Sequence, residues 1–317
     1  MALDILYTWG PDNAAQLLVS TLEKRPKKEV ANAVFNAIPT FEYLNSKGRV
    51  MLDGGASVVV PLEVASNTTA KFFEGYDLLD VTAQDNHTAA QYKWKQAYAS
   101  VSISGREVSQ NRGESQLINL LMMKQKNAER SLRNMINQKI HGASNTALEP
   151  ISLVTLIDAT STIGDINSTT SSYWQSLVTA GGVFASTGIA NWRTHYNTLK
   201  NRGANPDMII TTQTVHEAYE ATMAPQIRYN SLESADAKFR DLVFAGSKVR
   251  FDDQCASGVS YFLDSDFIQL YVNDGVNFKY NEFVRPPDQD AKTAQFLVEL
   301  AVATSNRRTL GKVTSQS

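Results

Sequence analysis

The chain has 317 residues, 43% of them apolar and 20% charged, with 32 acidic side chains against 30 basic ones and a formal net charge of −2. That length leaves room for two compact units sharing a sizeable core, and with a charge so close to neutral nothing marks the whole molecule as an electrostatic nucleic-acid binder. The single cysteine, Cys255, excludes an internal disulfide framework and any multi-cysteine metal site, and is expected to be a buried, inert thiol.

No apolar run approaches the roughly 20 residues of a membrane span. The N-terminal MALDILYTWGPDNAAQLL carries an acid early and lacks the basic start and apolar core of a signal peptide. Both features predict a protein made in a reducing cytoplasm or in something assembled there. Residues 1–49 read as an arm with little core of its own, containing a short helix at 14–22 and a basic RPKK turn at 25–28. Phe35, Ile38, Phe41 and Tyr43 need a surface, which an extended arm is expected to find on a neighbouring chain.

From 50 to 104 the period changes to two. SVVVPLEVA reads as a strand in which Pro61 favours an edge. KFFEGYDLLDVTAQDNHTAA is a long polar-and-aromatic tip, and QYKWKQAYASVSISG a return strand. Tyr92, Trp94 and Tyr98 share one face of that strand and Lys93 and Lys95 the other. Val101 and Ile103 fall out of phase, which predicts a bulge near Ala99. The result is a projecting hairpin, marginal alone in water and therefore expected to rest on another subunit.

Residues 111–142, NRGESQLINLLMMKQKNAERSLRNMINQKIHG, read as one long helix. Asn111 and Glu114 make a capping box and His141-Gly142 supplies the exit. Leu117, Leu121, Ala128, Leu132, Met135 and Ile136 recur at helical spacing, with Lys124, Lys126, Arg130, Arg133 and Lys139 off the apolar stripe. Its length would be roughly 40 Å, which suits a spine between strand-rich segments.

Residues 143–182 are rich in Ser, Thr, Gly and Asn, with Tyr173-Trp174 packing back onto a core. Helical spacing returns at Ile189, Trp192, Tyr196 and Leu199 and stops at Gly203. A short buried strand follows at 208–212, then a helix from Gln213 that carries His216 on its surface. Residues 247–280 read as strands with tight turns at 256–258, 264–266 and 273–275. Past Pro286-Pro287, the residues Phe296, Val298, Leu300 and Val302 alternate as in a half-buried strand. Asn306-Arg307-Arg308 turns the chain, and residues 309–314 can pair back; this C-terminal strand is expected to return beside the long helix, leaving the middle lobe as an insertion.

Sites of chemistry are sparse. There is no P-loop, no glycine fingerprint on a strand-to-helix turn, no HExxH and no EF-hand pattern. Asp252-Asp253 and the pair Asp264 and Asp266 sit in turns, where aspartate caps its own backbone. His87, His141, His195 and His216 share no ligand spacing, and no nucleophile elbow appears. The expectation is a protein without catalytic residues, cofactor or metal.

In its order of segments the chain resembles the tailed-bacteriophage major capsid proteins, the α+β coat fold typified by phage Hong Kong 97 and shared with encapsulins. VSQNRGESQLINLLMMKQKNAERSLRNMINQKIHG is similar to that family's spine-helix region. DINSTTSSYWQSL, NPDMIITTQTVHEAYE and KVRFDDQCASGVSYFLDSDFIQLYV are similar to parts of its axial A-domain, and AVATSNRRTLGKVTS to its closing strand. The resemblance implies an N-terminal arm at 1–49, an extended hairpin or E-loop at 50–104, and a P-domain with the spine helix at 105–145. It places the A-domain at 146–287 and the C-terminal return strands at 288–317.

It further implies a structural coat protein that self-assembles into hexamers and pentamers of an icosahedral shell enclosing double-stranded DNA without sequence specificity. A separate scaffolding protein and a portal would be partners, assembly would occur in the host cytoplasm, and the final location would be the virion. Phe72, Phe73, Tyr76, Tyr92 and Trp94 of the E-loop, with Arg130 and Arg133 of the spine, would make the inter-subunit contacts. Lys71, Lys93 and Lys95 match no crosslinking motif, so no crosslink is expected. An encapsulin-like shell around enzyme cargo is the alternative, and an α/β hydrolase a remote one.

Overall fold

The computed structural model describes residues 37–110, 120–143, 146–227 and 242–316. The expected helix at 14–22, the basic turn at 25–28, Phe35 and the Asn111 and Glu114 cap lie outside the described residues, as do Leu117 and the side chain of Leu121.

The chain opens with α1 (Pro39–Lys47), β1 (Arg49–Leu52), β2 (Ser57–Glu63), β3 (His87–Lys93) and β4 (Lys95–Ser104), followed by α2 (Gly105–Gln110) and α3 (Leu120–Ile140). The middle holds α4 (Leu153–Leu156), β5 (Thr162–Ile163), β6 (Ile166–Asn167), β7 (Leu177–Ala180), α5 (Ile189–Asn201), β8 (Met208–Thr211) and α6 (Gln213–Ile227). Then come β9 (Val243–Phe244), β10 (Ser247–Phe251), β11 (Ser260–Leu263), β12 (Ile268–Asn273), β13 (Lys279–Val284), β14 (Ala291–Thr304) and β15 (Gly311–Thr314). Two compact units result. Of the described residues, one gathers those within 97–134 and 278–298, and the other those within 37–96, 135–277 and 299–316, so α3 and β14 each start in the first and end in the second.

In the smaller unit β13 pairs antiparallel with the first part of β14, Tyr280 opposite Phe296, and β4 also pairs with β14. Lys124 on α3 binds the Glu107 carboxylate and the Ser102 carbonyl, each at 3.0 Å. Arg133 pairs with Glu129 at 2.7 Å, one helical turn away, and lies over the Phe278 ring at 5.1 Å.

The larger unit is built on a six-stranded sheet of order β7-β15-β11-β8-β10-β9. All four residues of β8 are buried, as expected of a central strand covered on both faces. The 3.6 periodicity of α5 lays Trp192, Tyr196 and Leu199 on this sheet. The helix stops where Gly203 turns to φ +87, a conformation glycine adopts without a Cβ clash. Trp192 is fully buried, with edge-on contacts to Phe184 at 5.0 Å, Phe244 at 5.5 Å and Phe262 at 5.8 Å. Trp192→Ala is expected to destabilise the fold by about 3–5 kcal/mol, measured as a drop in the urea midpoint with unchanged slope.

Three local expectations are corrected. Phe41 and Tyr43 do not await a neighbouring chain: they are buried in the subunit, on the helix α1, which packs on β12. Asp207 explains why α1 stays there, since it accepts from the Tyr43 hydroxyl and pairs with Lys47 at 2.9 Å. Secondly, the change of phase in the return strand falls at Trp94 and not near Ala99. Even-numbered Ala90 and Tyr92 are buried on β3, odd-numbered Val101 and Ile103 on β4, and Trp94 lies in the break between the strands. Tyr98 is consequently exposed and does not share the environment of Tyr92.

Thirdly, the last strand does not pair back on its predecessor. β14 ends beside β12, with Leu270 opposite Val302, whereas β15 inserts between β7 and β11. The buried Arg307 makes that transfer possible. Its guanidinium donates to the carbonyls of Leu156 at 2.8 Å, Ser161 at 3.0 Å, Thr155 at 3.4 Å and Asp158 at 2.7 Å, and to the Ser168 hydroxyl. The Arg thus organises residues 155–168 around the turn that precedes β15.

A second buried network sits at the end of α3. Asp252 accepts from the Thr40 hydroxyl at 2.6 Å, from the Asn137 amide at 3.1 Å and from the backbone N–H of Gln254 at 3.0 Å. With its proton given to Asp252, the Thr40 oxygen accepts from His141 Nε2 at 2.8 Å. Asn137 also accepts from the Phe41 N–H at 3.1 Å. Burial alone would raise the Asp252 carboxyl, but the His141 ring nitrogen 3.4 Å away and the Thr40 hydrogen bond outweigh it and hold the group well below the usual carboxylate range.

Candidate inter-subunit surface

β2 and β3 form a two-stranded antiparallel hairpin, Ser57 opposite Lys93 and Glu63 opposite His87. In this sheet β2 pairs only with β3, so it is an edge strand, which accommodates Pro61. Val58, Val60 and Leu62 are buried on one face while Val59 is exposed on the other, the alternation of a half-buried strand. The hairpin base is anchored where the Gln91 N–H donates to the Gly164 carbonyl at 3.1 Å. Gly164 has φ +62, and a Cβ on it would come within 2.7 Å of Ala90, so the β5–β6 turn approaches β3 this closely only with glycine there.

Beyond the paired strands, residues 64–86 form an irregular tip. Its two sides are tied by Val64 N–H to the Asn86 carbonyl at 2.9 Å, Thr68 to Gln84 at 2.8 Å and Lys71 to Asp80 at 3.4 Å. Phe72, Tyr76 and Leu78 are fully exposed, and Phe73, Leu79 and Val81 largely so. Glu74, Asp77, Asp80 and Asp85 intersperse them against the single cation Lys71. Six large apolar side chains are thus exposed within ten residues, which makes the tip a candidate interaction surface, and the charge of the segment is negative.

The other expected contact residues lie elsewhere. Tyr92 is 1% exposed, and its hydroxyl donates to the Thr304 carbonyl at 2.8 Å. Burial pushes that hydroxyl's pKa up to about 12. Tyr92 is therefore an internal residue, a correction to its expected contact role that follows from the phase of β3. Trp94 is half-buried with its indole N–H enclosed. On α3, Arg130 is exposed, together with Met122 and Lys126, whereas Arg133 is engaged by Glu129 and Phe278. Leu78, Leu79 and Val81 belong to the exposed strip although periodicity could not single them out. Their sequence signal was the alternation of acids with apolar residues in a segment that fits neither a helix nor a strand.

Asp264, His195, His216 and Cys255 each make contacts within the subunit. Asp264 accepts from the N–H groups of Asn205 at 2.7 Å and Asp266 at 3.1 Å, as in capped turns. His195 is buried, with Nδ1 2.9 Å from the Thr179 hydroxyl, and burial lowers its pKa to about 3. His216 is half-buried against the Phe251 ring at 5.2 Å. Burial raises the Cys255 thiol to about 12, consistent with an inert thiol. Among the described residues no group of three His, Cys, Asp or Glu side chains is placed to hold a metal ion, and no helix is long and apolar enough to cross a membrane.

No protein-family model and no curated protein sequence matches the chain. Solved structures do match. The chain is similar to a chain of the Cyanophage A-1(L) capsid asymmetric unit, with a TM-score of 0.66 and 14% identity over 92% of this chain and 96% of that one. It is similar to the capsid of a native GTA particle, with a TM-score of 0.60 and 10% identity over 93% and 95%. A chain from Mycobacterium phage Adephagia gives 0.58 and 13% over 95% and 97%. The fold is thus the α+β fold of tailed-phage major capsid proteins, the Hong Kong 97 type expected from the order of segments.

Proposed function

We propose that the chain is a structural coat protein that self-assembles into the hexamers and pentamers of an icosahedral shell around double-stranded DNA. The observation that carries this reading is the tip at 64–86, whose exposed apolar strip has a cost in water that a neighbouring subunit removes. The segment roles follow the same reading: arm at 1–49, E-loop at 50–104, P-domain at 105–145, A-domain at 146–287 and return strands at 288–317. Within the shell the acidic, aromatic tip lies on a neighbour whose basic helix face presents Arg130 and Lys126 beside Met122. Repetition of modest contacts around a closed symmetry gives a stable particle. A scaffolding protein and a portal are the further partners, and the virion is the location.

The test is electron microscopy of the purified chain, alone and with candidate scaffolding proteins, looking for closed shells, rings or tubes. Phe72→Ser/Phe73→Ser/Tyr76→Ser is expected to abolish such particles while changing the urea stability of the unassembled chain by no more than about 0.5 kcal/mol, because these side chains touch little within the subunit. A strictly monomeric wild-type chain at high concentration, with every candidate, would end the coat reading.

A further inference from the structure

From Ile166 to Pro206 the chain contains no Asp or Glu, and none again from Leu300 to Ser317. The fold brings these two acid-free segments together, since α5 packs against β15 and against the Arg307–Thr309 turn. Around the C-terminal end of α5 this collects Arg202 and Arg308, with Lys200 nearby and Arg193 further along the helix; Lys200, Arg193 and Arg308 are exposed. Among the described residues neither Arg202 nor Arg308 has a carboxylate partner. Nη1 of Arg202 is buried without any hydrogen-bond partner, and the charge acting on Arg202 is the like charge of Arg308.

Two arginines side by side without a carboxylate partner repel each other, and an anion placed against the pair relieves that repulsion. The remaining exposed positions of α5 are Ala190, Thr194, Asn197 and Asn201, and α5 exposes no large apolar side chain. A protein interface would carry an apolar centre; a polar, positive surface of arginines and amides has the character of a nucleic-acid contact. We propose that the end of α5 and the Arg307–Thr309 turn form a binding surface for backbone phosphates of nucleic acid, with Arg202 and Arg308 at its centre and Lys200 at its margin. Arg308 is exposed and offers a planar fork that matches two phosphate oxygens, and Arg202 beside it adds a second positive charge. Recognition is of charge and geometry and not of base sequence. The proposal rests on the coat reading only in making a packaged polyanion the occupant.

The experiment measures binding of a short fluorescent DNA duplex of mixed sequence to the full-length unassembled chain across a salt series. Arg202→Gln/Arg308→Gln is compared with Arg106→Gln/Lys292→Gln, which removes the same charge from exposed positions elsewhere. The slope of log affinity against log salt is expected to fall by about 2 in the first variant and to stay near wild type in the second. Equal slopes in the two variants would overturn the proposal, as would a wild-type chain that forms shells but shows no salt-dependent DNA binding. Thermal stabilisation by inorganic phosphate without duplex binding would likewise overturn it in favour of a free-anion site. Electron microscopy of the same preparations separates the two readings: binding lost with Arg202 and Arg308 in a chain that never forms particles keeps this surface and removes the coat assignment.

Discussion

Arg307→Met is expected to be among the most damaging single substitutions in the chain, costing more than about 4 kcal/mol out of a total stability on the order of 5–15 kcal/mol. The reason is stoichiometric. Five acceptors from 155–168 converge on one fully buried guanidinium, and methionine fills the volume while donating nothing. Each carbonyl left buried and unpaired costs about 1–3 kcal/mol. Arg307→Lys retains the charge but offers three donors from one point in place of five in a plane, so an intermediate loss of about 2–3 kcal/mol is expected. Burial lowers the Arg307 pKa to about 10, which still leaves it charged at neutral pH. Urea unfolding of the unassembled chain decides the matter, and a cost under about 1 kcal/mol would mean that water replaces the guanidinium. Because residues 155–168 include Gly164, which contacts β3, the same variant should increase amide exchange at Gln91 before global unfolding.

Asp252→Ala is the second large effect, expected to cost about 3–5 kcal/mol because it leaves the donors of Thr40, Asn137 and Gln254 facing an empty site. Asp252→Asn keeps the shape and should cost about half as much, since one of its terminal atoms is itself a donor. The network also predicts a pH profile. The folded carboxyl is depressed relative to the ordinary 3.8, so its contribution is fully present above that value and is lost as pH falls through the lower folded value. His195 acts at higher pH. Its folded pKa is lowered from 6.5 to about 3, so between those values the unfolded chain binds the extra proton and stability falls with falling pH. Each full proton gives a slope of roughly 1.4 kcal/mol per pH unit. The wild type should therefore weaken steadily below about pH 6.5. His195→Gln should flatten the upper part of that profile and Asp252→Asn the part below about pH 4. A profile unchanged in both variants would refute these assignments.

Much of the architecture was legible in one dimension because it depends on local periodicity. The 3.6 repeat of Ile189, Trp192, Tyr196 and Leu199 became α5, and that of Ala128, Leu132 and Ile136 a buried stripe on α3. The run at 208–211 became a central strand. An apolar tip that matches no repeat was legible as a surface for the same reason: Phe72, Phe73 and Tyr76 had no partner within reach of their own segment, and they remain exposed. What tertiary structure alone decided concerns residues whose partners are far away in the chain. The break at Trp94 places Tyr92 inside, its hydroxyl on Thr304 across 212 positions. The arm residues Phe41 and Tyr43 bury themselves because Asn137, Asp207 and Asp252 supply hydrogen bonds that no local pattern announces. Arg307 read as a turn residue and proved to be the centre of a buried network. An arginine's sequence neighbours report its charge, whereas its burial depends on how many distant carbonyls the fold turns towards it.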